Sequence, residues 1–260
     1  MKNELEVAIR AAKAAGSIIR EEFGKSSTIT LKKDESFQTQ ADRLSEEKII
    51  SIIKASFPNH SICAEESGLL EKKSKQLWII DPLDGTTNFA TRIPFFSVSI
   101  ALVENKRVKL GVVYDPNKDE VFTAEFGKGA KLNESIIRVS ATSKLSKSMI
   151  GYSRSSQAKE RFIDVFQKVE KVARTPKVLG STALQLCYVA DGRLDADISL
   201  SQEPWDIAAG SLVIKEAGGT ISNIEGKEWA LDISDIVASN GKIHEELLAV
   251  LKTDFYQVDN

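Results

Sequence analysis

The chain has 260 residues with 35 Lys+Arg against 37 Asp+Glu, a formal net charge of −2 at pH 7, which excludes a polybasic nucleic-acid or membrane-surface binder. Such a length buries a sizeable core without staples, and the two cysteines, Cys63 and Cys187, stand far apart with no CxxC, so a disulfide scaffold and a thiolate zinc site are excluded and a reducing cytoplasm fits. His60 and His244 are the only histidines, each among surface-like residues, which excludes chemistry built on several imidazoles and leaves carboxylates as the suspects.

Leu5, Ala8, Ala12, Ala15, Ile19 and Phe23 recur at three-to-four spacing with Gly24 beyond them, which predicts an amphipathic helix over 4–23. Its basic interruptions deny it the apolar core of a signal peptide, and no run reaches the ~18 apolar residues of a membrane span. Residues 28–32 read as a strand edge and 32–36 as a solvated loop. Thr39-Gln40-Ala41-Asp42 matches a capping box ahead of a second helix closed by Pro58-Asn59. From 77 to 132 the texture becomes short strands, at 77–80, 97–103, 108–114 and 121–124, a meandering antiparallel sheet. The pattern then alternates: strand 149–152, helix 158–172, strand 177–179, helix 181–190, strand 196–200, helix 204–217, strand 220–222 and helix 243–251. The portion 1–140 reads α+β and 141–260 reads α/β, together one layered unit over 1–260.

The most informative stretch is Trp78-Ile79-Ile80-Asp81-Pro82-Leu83-Asp84-Gly85-Thr86-Thr87-Asn88-Phe89. An apolar strand ends at Asp81, Pro82 breaks its ladder, and Asp84 follows. A tight turn of this kind offers Asp81, Asp84 and the Leu83 carbonyl to a hard cation such as Mg²⁺, which demands oxygen ligands. Amides of Gly85, Thr86 and Thr87 at a helical turn suit a phosphate. The same residues are also ordinary turn formers. Glu65-Glu66 follows the short stretch 61–64 and supplies either one inward acid with a supporting partner or a solvated pair. Asp206 opens the 204–217 helix, as a ligand or as a dipole-favoured residue, and Asp42 is a site acid or the far end of its capping box. Cys187 and Arg193 match the spacing of cysteine phosphatases but fall in an apolar helix. Asp195-Ala196-Asp197 reads as a strand with one exposed acid. Neither a Walker loop nor a GxGxxG is present.

Asp81-Pro82-Leu83-Asp84-Gly85-Thr86-Thr87-Asn88-Phe89, taken with Trp205-Asp206-Ile207-Ala208-Ala209-Gly210 and Glu216-Ala217-Gly218-Gly219, resembles the inositol monophosphatase family over essentially the whole chain. The resemblance implies a layered αβαβα sandwich, lithium-sensitive hydrolysis of phosphate monoesters dependent on two or three Mg²⁺ ions, and a cytoplasmic homodimer. It implies Glu65, Asp81, the Leu83 carbonyl, Asp84 and Asp206 as metal ligands. Thr86 and Asp42 match the pair that positions the attacking water, with Glu66 in support. Asp84, Gly85 and Thr86 match the phosphate-holding turn, and Gly180-Ser181-Thr182 the loop facing the substrate alcohol. Lys32 or Lys33 falls in the loop that closes over the site. Counting back seven residues from Asp206, where animal members carry a glutamate against the inositol ring, reaches Ser199.

The implied activity is hydrolysis of inositol-1-phosphate and related small polyol or sugar phosphates, with no membrane or direct nucleic-acid partner. Ser199 loosens the alcohol pocket and keeps fructose-1,6-bisphosphate as an alternative. Relatives that cleave 3′,5′-bisphosphate nucleotides usually carry Lys where Thr87 stands. A non-catalytic alternative is an accessory role in transcription, which some bacterial relatives resemble.

Overall fold

The computed structural model describes residues 3–25, 29–31 and 37–253; Lys32, Lys33 and the rest of the 32–36 loop lie outside them. Helix α1 (Glu4–Glu22) is capped by Asn3, whose side chain accepts from Leu5 N at 3.1 Å, and it buries Val7, Ala8, Ala11, Ala12, Ala15 and Ile19 on one face. Strands β1 (Thr30–Leu31) and β2 (Phe37–Gln38) pair antiparallel ahead of α2 (Gln40–Ser56). There follow β3 (Ser61–Ala64), β4 (Gly68–Leu70), β5 (Gln76–Asp84), the short helix α3 (Thr86–Ala90), β6 (Ser97–Glu104), β7 (Arg107–Asp115), β8 (Glu120–Glu125), β9 (Ala130–Leu132) and β10 (Ser135–Ile136). All but α3 form one eight-stranded sheet in the order β10-β9-β8-β7-β6-β5-β3-β4. Its ladders are antiparallel except that between β3 and β5, so the expected meander is present.

The rest of the chain gives β11 (Met149–Arg154), α4 (Lys159–Glu170), β12 (Thr175–Lys177), α5 (Thr182–Ala190), β13 (Ala196–Leu200), α6 (Pro204–Glu216), β14 (Thr220–Ser222), β15 (Ile236–Ser239) and α7 (His244–Leu251). The five strands order as β12-β11-β13-β15-β14. β11 runs parallel to both neighbours, as β-α-β crossovers require, and β15 antiparallel to both.

Three apolar cores lie between the layers. On the outer face of the large sheet, Ala11, Ala15, Ile49 and Ile53 of α1 and α2 pack on Trp78, Ile80, Ile100 and Tyr114. Between the sheets, Leu184, Leu186 and Val213 of α5 and α6 meet Ile79, Ala101 and Val113 on one side and Ile221, Ile236 and Ala238 on the other. Both helices are apolar nearly all round because a sheet faces each side. α4 and α7 cover the outer face of the small sheet with Val165 and Leu247 on Ile150 and Ile198. The result is the layered αβαβα arrangement that the resemblance implies. Among the described residues no helix is long and apolar enough to cross a membrane.

Four local expectations need correction. β5 does not end at Asp81 but continues to Asp84 through an irregularity at Pro82: the ladder pairs Asp81 with Ser99 and resumes at Asp84 with Ser97, because proline has no N–H to donate. The strand placed at 177–179 lies at Thr175–Lys177, and β15 has no counterpart in the sequence reading. His244 is buried between Ser222 Oγ and Ser239 Oγ, each 2.9 Å from a ring nitrogen. Neither Asp195 nor Asp197 is exposed.

Candidate active site

The site forms where β5 ends against the N-termini of α5 and α6. Asp81, Asp84 and Asp206 each bring a carboxylate oxygen to within 4.8 Å of the others, although Asp206 comes from a distant part of the chain. Crowded acids removed from water resist ionisation. Burial first, then the charges of Glu65, Asp84 and Asp206, push the Asp81 carboxyl well above the usual range; burial and then Asp84 do the same to Asp206. Three crowded, mutually repelling carboxylates, two buried and one half-buried, are a donor set that a hard divalent cation satisfies, so the residues fit Mg²⁺.

Each aspartate is held in place. Asp81 Oδ1 accepts from Leu83 N at 2.9 Å, folding the turn back on itself. Asp84 Oδ2 accepts from Ser181 Oγ, from Ala183 N at 2.9 Å and from Ser97 Oγ at 3.2 Å, while Oδ1 accepts from Thr182 N at 3.1 Å. Burial raises the Asp84 carboxyl, and these donors oppose the rise. Asp206 Oδ2 accepts from Glu203 N at 2.8 Å and so closes a capping box on α6.

Around this cluster stand the other residues singled out in the sequence. Thr86 Oγ1 lies 2.9 Å from both Asp42 Oδ1 and the Leu83 carbonyl, to either of which it donates. Asp42 is fully buried, accepts from Thr39 N at 2.8 Å, and its carboxyl is pushed up to about 6 by burial, against its hydrogen bonds from Thr39 and Thr86. The capping and site readings of Asp42 are thus both realised. Glu66 accepts from Gln38 Nε2 and its charge contributes to raising Asp42. Glu65 stands outside the three-aspartate group, but its charge acts on Asp81 and Asp206 and it lines the same cleft.

Gly85 precedes α3 with φ +95°, where a side chain is disfavoured, and a Cβ there would stand 3.0 Å from the Gly180 carbonyl oxygen. The turn at Gly85 and the loop at Gly180 are therefore in contact, further tied by Asn88 Nδ2 donating to the Leu179 and Phe95 carbonyls, both at 2.7 Å. Ser181 and Thr182 face Asp84 directly, and Thr182 Oγ1 also donates to Gln202 Oε1 at 2.8 Å. Ser199 is fully buried with its hydroxyl donating to Asp197 at 2.5 Å, which turns it away from the opening. Cys187 lies wholly inside α5, where burial pushes its thiol well up, so the cysteine-phosphatase spacing is coincidental.

A cleft of about 370 Å³ opens beside Asp206 and Glu65, lined also by Thr87, Arg154, Gln157 and Trp205 among others. Arg154 was missed in the sequence. It ends β11 in an unremarkable Ser-Arg-Ser-Ser string, and only the layering of the second sheet beside α6 brings it to the cleft wall, where its guanidinium lies over the Phe162 ring and donates to the Ser155 carbonyl.

A carboxylate cluster that could hold a metal ion sits in a fold of two sheets with a helix layer between them, and comparison with known proteins places the chain: residues 1–254 match the model of the inositol monophosphatase family. The chain belongs to that family. It is 40% identical over 255 residues to "Nus factor SuhB" of Pasteurella multocida, covering 95% of each chain. It is 39% identical over 261 residues to "Inositol monophosphatase 2" of Solanum lycopersicum, covering 96% of this chain and 98% of the relative. Among solved structures, the extragenic suppressor protein suhB of Bartonella henselae superposes with a TM-score of 0.92 at 35% identity, over 96% of this chain and 98% of that one.

Proposed function

We propose that the protein is a Mg²⁺-dependent phosphate monoester hydrolase acting on inositol-1-phosphate and related small sugar or polyol phosphates. One observation carries the reading: three aspartates from two distant segments, Asp81 and Asp84 buried and Asp206 half-buried at the edge of an open cleft, converge within 4.8 Å. Asp81, Asp84, Asp206, Glu65 and the Leu83 carbonyl would hold two or three ions. When bound, such ions polarise phosphoryl oxygens and lower the pKa of a ligated water.

The chain's own groups then divide the work. Thr86 donates its hydroxyl proton to Asp42 Oδ1, which leaves the Oγ1 lone pairs to accept from, and so orient, the attacking water. The water proton passes to Thr86 Oγ1 as the hydroxyl proton passes to Asp42, whose elevated pKa suits a base working near neutrality. Glu66 beside Asp42 helps keep its proton affinity high. The Gly85 and Thr86 amides hold the phosphate, and Gly180, Ser181 and Thr182 face the alcohol. With Ser199 turned inward, the cleft wall offers Arg154, a cation suited to the second phosphate of fructose-1,6-bisphosphate, and this supports that sugar as an alternative substrate.

The test is phosphate release with and without Mg²⁺ from inositol-1-phosphate, fructose-1,6-bisphosphate and 3′-phosphoadenosine-5′-phosphate, with Asp84→Asn beside the wild type. The expected result is Mg²⁺-dependent turnover that falls to below about a hundredth in the variant, with the thermal transition in EDTA within a few degrees of wild type. Turnover retained by Asp84→Asn would sink its assignment as a ligand.

A second reading is favoured by relatives named Nus factor SuhB: an accessory role in transcription, separate from the acids. Salt-sensitive capture of an RNA polymerase subunit, undiminished by Asp84→Asn, is its expected signature. Absence of capture at low salt removes it.

A further inference from the structure

Behind the cleft wall a buried carboxyl is left without a task in the chemistry above. Asp197 on β13 is fully buried, and no basic side chain among the described residues pairs with it. Burying an unpaired carboxyl in a core costs several kcal/mol unless hydrogen bonds offset it. Oδ2 accepts from Ser199 Oγ at 2.5 Å, and Oδ1 accepts from Gln185 Nε2 at 2.6 Å. The adjacent strand makes room: a Cβ on Gly151 would stand 2.4 Å from Asp197 Oδ1.

Gln185 leads from there to the site. Its Nε2 also donates to Ser153 Oγ at 2.8 Å, and its Oε1 accepts from Leu179 N at 2.7 Å and Gly180 N at 3.3 Å. An amide side chain has one donor end and one acceptor end, and an ionised carboxylate can only accept. Asp197 therefore fixes which way the Gln185 amide points, and the acceptor end is left to the backbone of the 179–180 turn. The residues immediately following that turn are those whose Ser181 hydroxyl and Thr182 and Ala183 amides hold Asp84.

We propose that Asp197 is a positioning residue that acts through Gln185 to hold the 179–183 segment where its donors meet Asp84. The catalytic consequence rests on the phosphatase reading; the structural consequence does not.

The experiment compares wild type, Asp197→Ala and Asp197→Asn. Hydrogen exchange of the metal-free proteins is read at the 179–183 amides, with Val112 and Val113 in β7 as internal reference. In Asp197→Ala, exchange at 179–183 is expected to quicken about tenfold or more while the β7 amides keep wild-type rates, the mark of a local opening. The Mg²⁺ concentration for half-maximal phosphate release should rise about tenfold, the scale typical of losing an outer partner of a metal site. Asp197→Asn retains an acceptor for Gln185 Nε2 and should restore both readouts to within about threefold of wild type. Unchanged exchange at 179–183, or acceleration shared equally by β7, overturns the proposal. Where Asp197→Ala does not fold, Gln185→Met breaks the same link and the same outcomes decide. If the wild type itself releases no phosphate with Mg²⁺, the phosphatase reading falls, and the exchange result alone decides the role of Asp197.

Discussion

Asp42 and Asp197 carry carboxyls pushed up to about 6 by burial, and Asp81, Asp84 and Asp206 are raised as well. A folded-state carboxyl above its ordinary value of 3.8 holds its proton more tightly than the unfolded chain does. Its stabilising contribution is therefore present below pH 4 and is lost as pH rises through about 6. Two such groups each contribute roughly 2–3 kcal/mol of that loss. The metal-free protein should have a higher urea midpoint at pH 5 than at pH 7 in EDTA; a lower midpoint at pH 5 would contradict the burial argument. Mg²⁺ should shrink the difference, because cations favour the ionised carboxylates. At this scale the acids that cluster were legible as candidates: Asp81, Asp84 and Asp206 sit at a strand end and a helix start, where acids serve a turn, a cap or an ion. Asp197 was not, because a strand acid ordinarily faces water and its partner Gln185 lies in a helix whose other residues read as core. Arg154 and the burial of His244 were hidden for the same reason, since each depends on what another layer places beside it.

The helices serve the site through the means that start them. Asp42 and Asp206 both occupy the third position of a capping box, on α2 and on α6, so the cap that fixes each helix also fixes an acid. This explains why the helix starts at 40 and 204 were readable while the fate of their acids was not: capping and the site use the same residue. The irregularity at Pro82 was half legible. Proline signalled a broken ladder, but only the pairing of Asp84 with Ser97 shows that the strand resumes. β15 escaped notice because Ile236-Val237-Ala238 is too short a run to stand out without its partner strands. The placement of α6 depends on a close approach to β7, where a Cβ on Gly111 would stand 2.7 Å from the Ala209 carbonyl oxygen. Gly111→Ala must push α6 outward, and backbone gives way less readily than a side chain. The expected result is destabilisation of about 2 kcal/mol or more, seen as a lower melting temperature, together with weaker Mg²⁺-dependent turnover because Asp206 travels with the helix. Full activity at an unchanged melting temperature would show that α6 tolerates the shift.

Over the molecule as a whole, the alternation of helical and strand periods made a layered unit legible, and the αβαβα order came only from the family resemblance. The crossing of the two sheets over a shared pair of helices was not readable from periodicity, since no local pattern says that α5 and α6 have a sheet on either side. That sandwiching makes the acids a joint product of both sheets, with Asp81 and Asp84 on one and Asp206 at the end of the helix between them. Ion binding should therefore stabilise the whole fold. At a Mg²⁺ concentration a hundred times the dissociation constant the gain is about 2.7 kcal/mol, a rise of several degrees in the melting temperature of wild type that Asp84→Asn should not show. An equal rise in the variant would place the stabilising ion elsewhere.

The same division has a consequence in time. During synthesis the chain delivers Asp81 and Asp84 long before Asp206, and the residues that anchor Asp84 from α5 emerge between them. A nascent chain that has completed only the large sheet carries a lone, uncompensated pair of acids without the third carboxylate that completes the set. On the proposed metal-site reading, capture of the ion would be a late event that reports a finished fold rather than the nucleus around which the first half assembles.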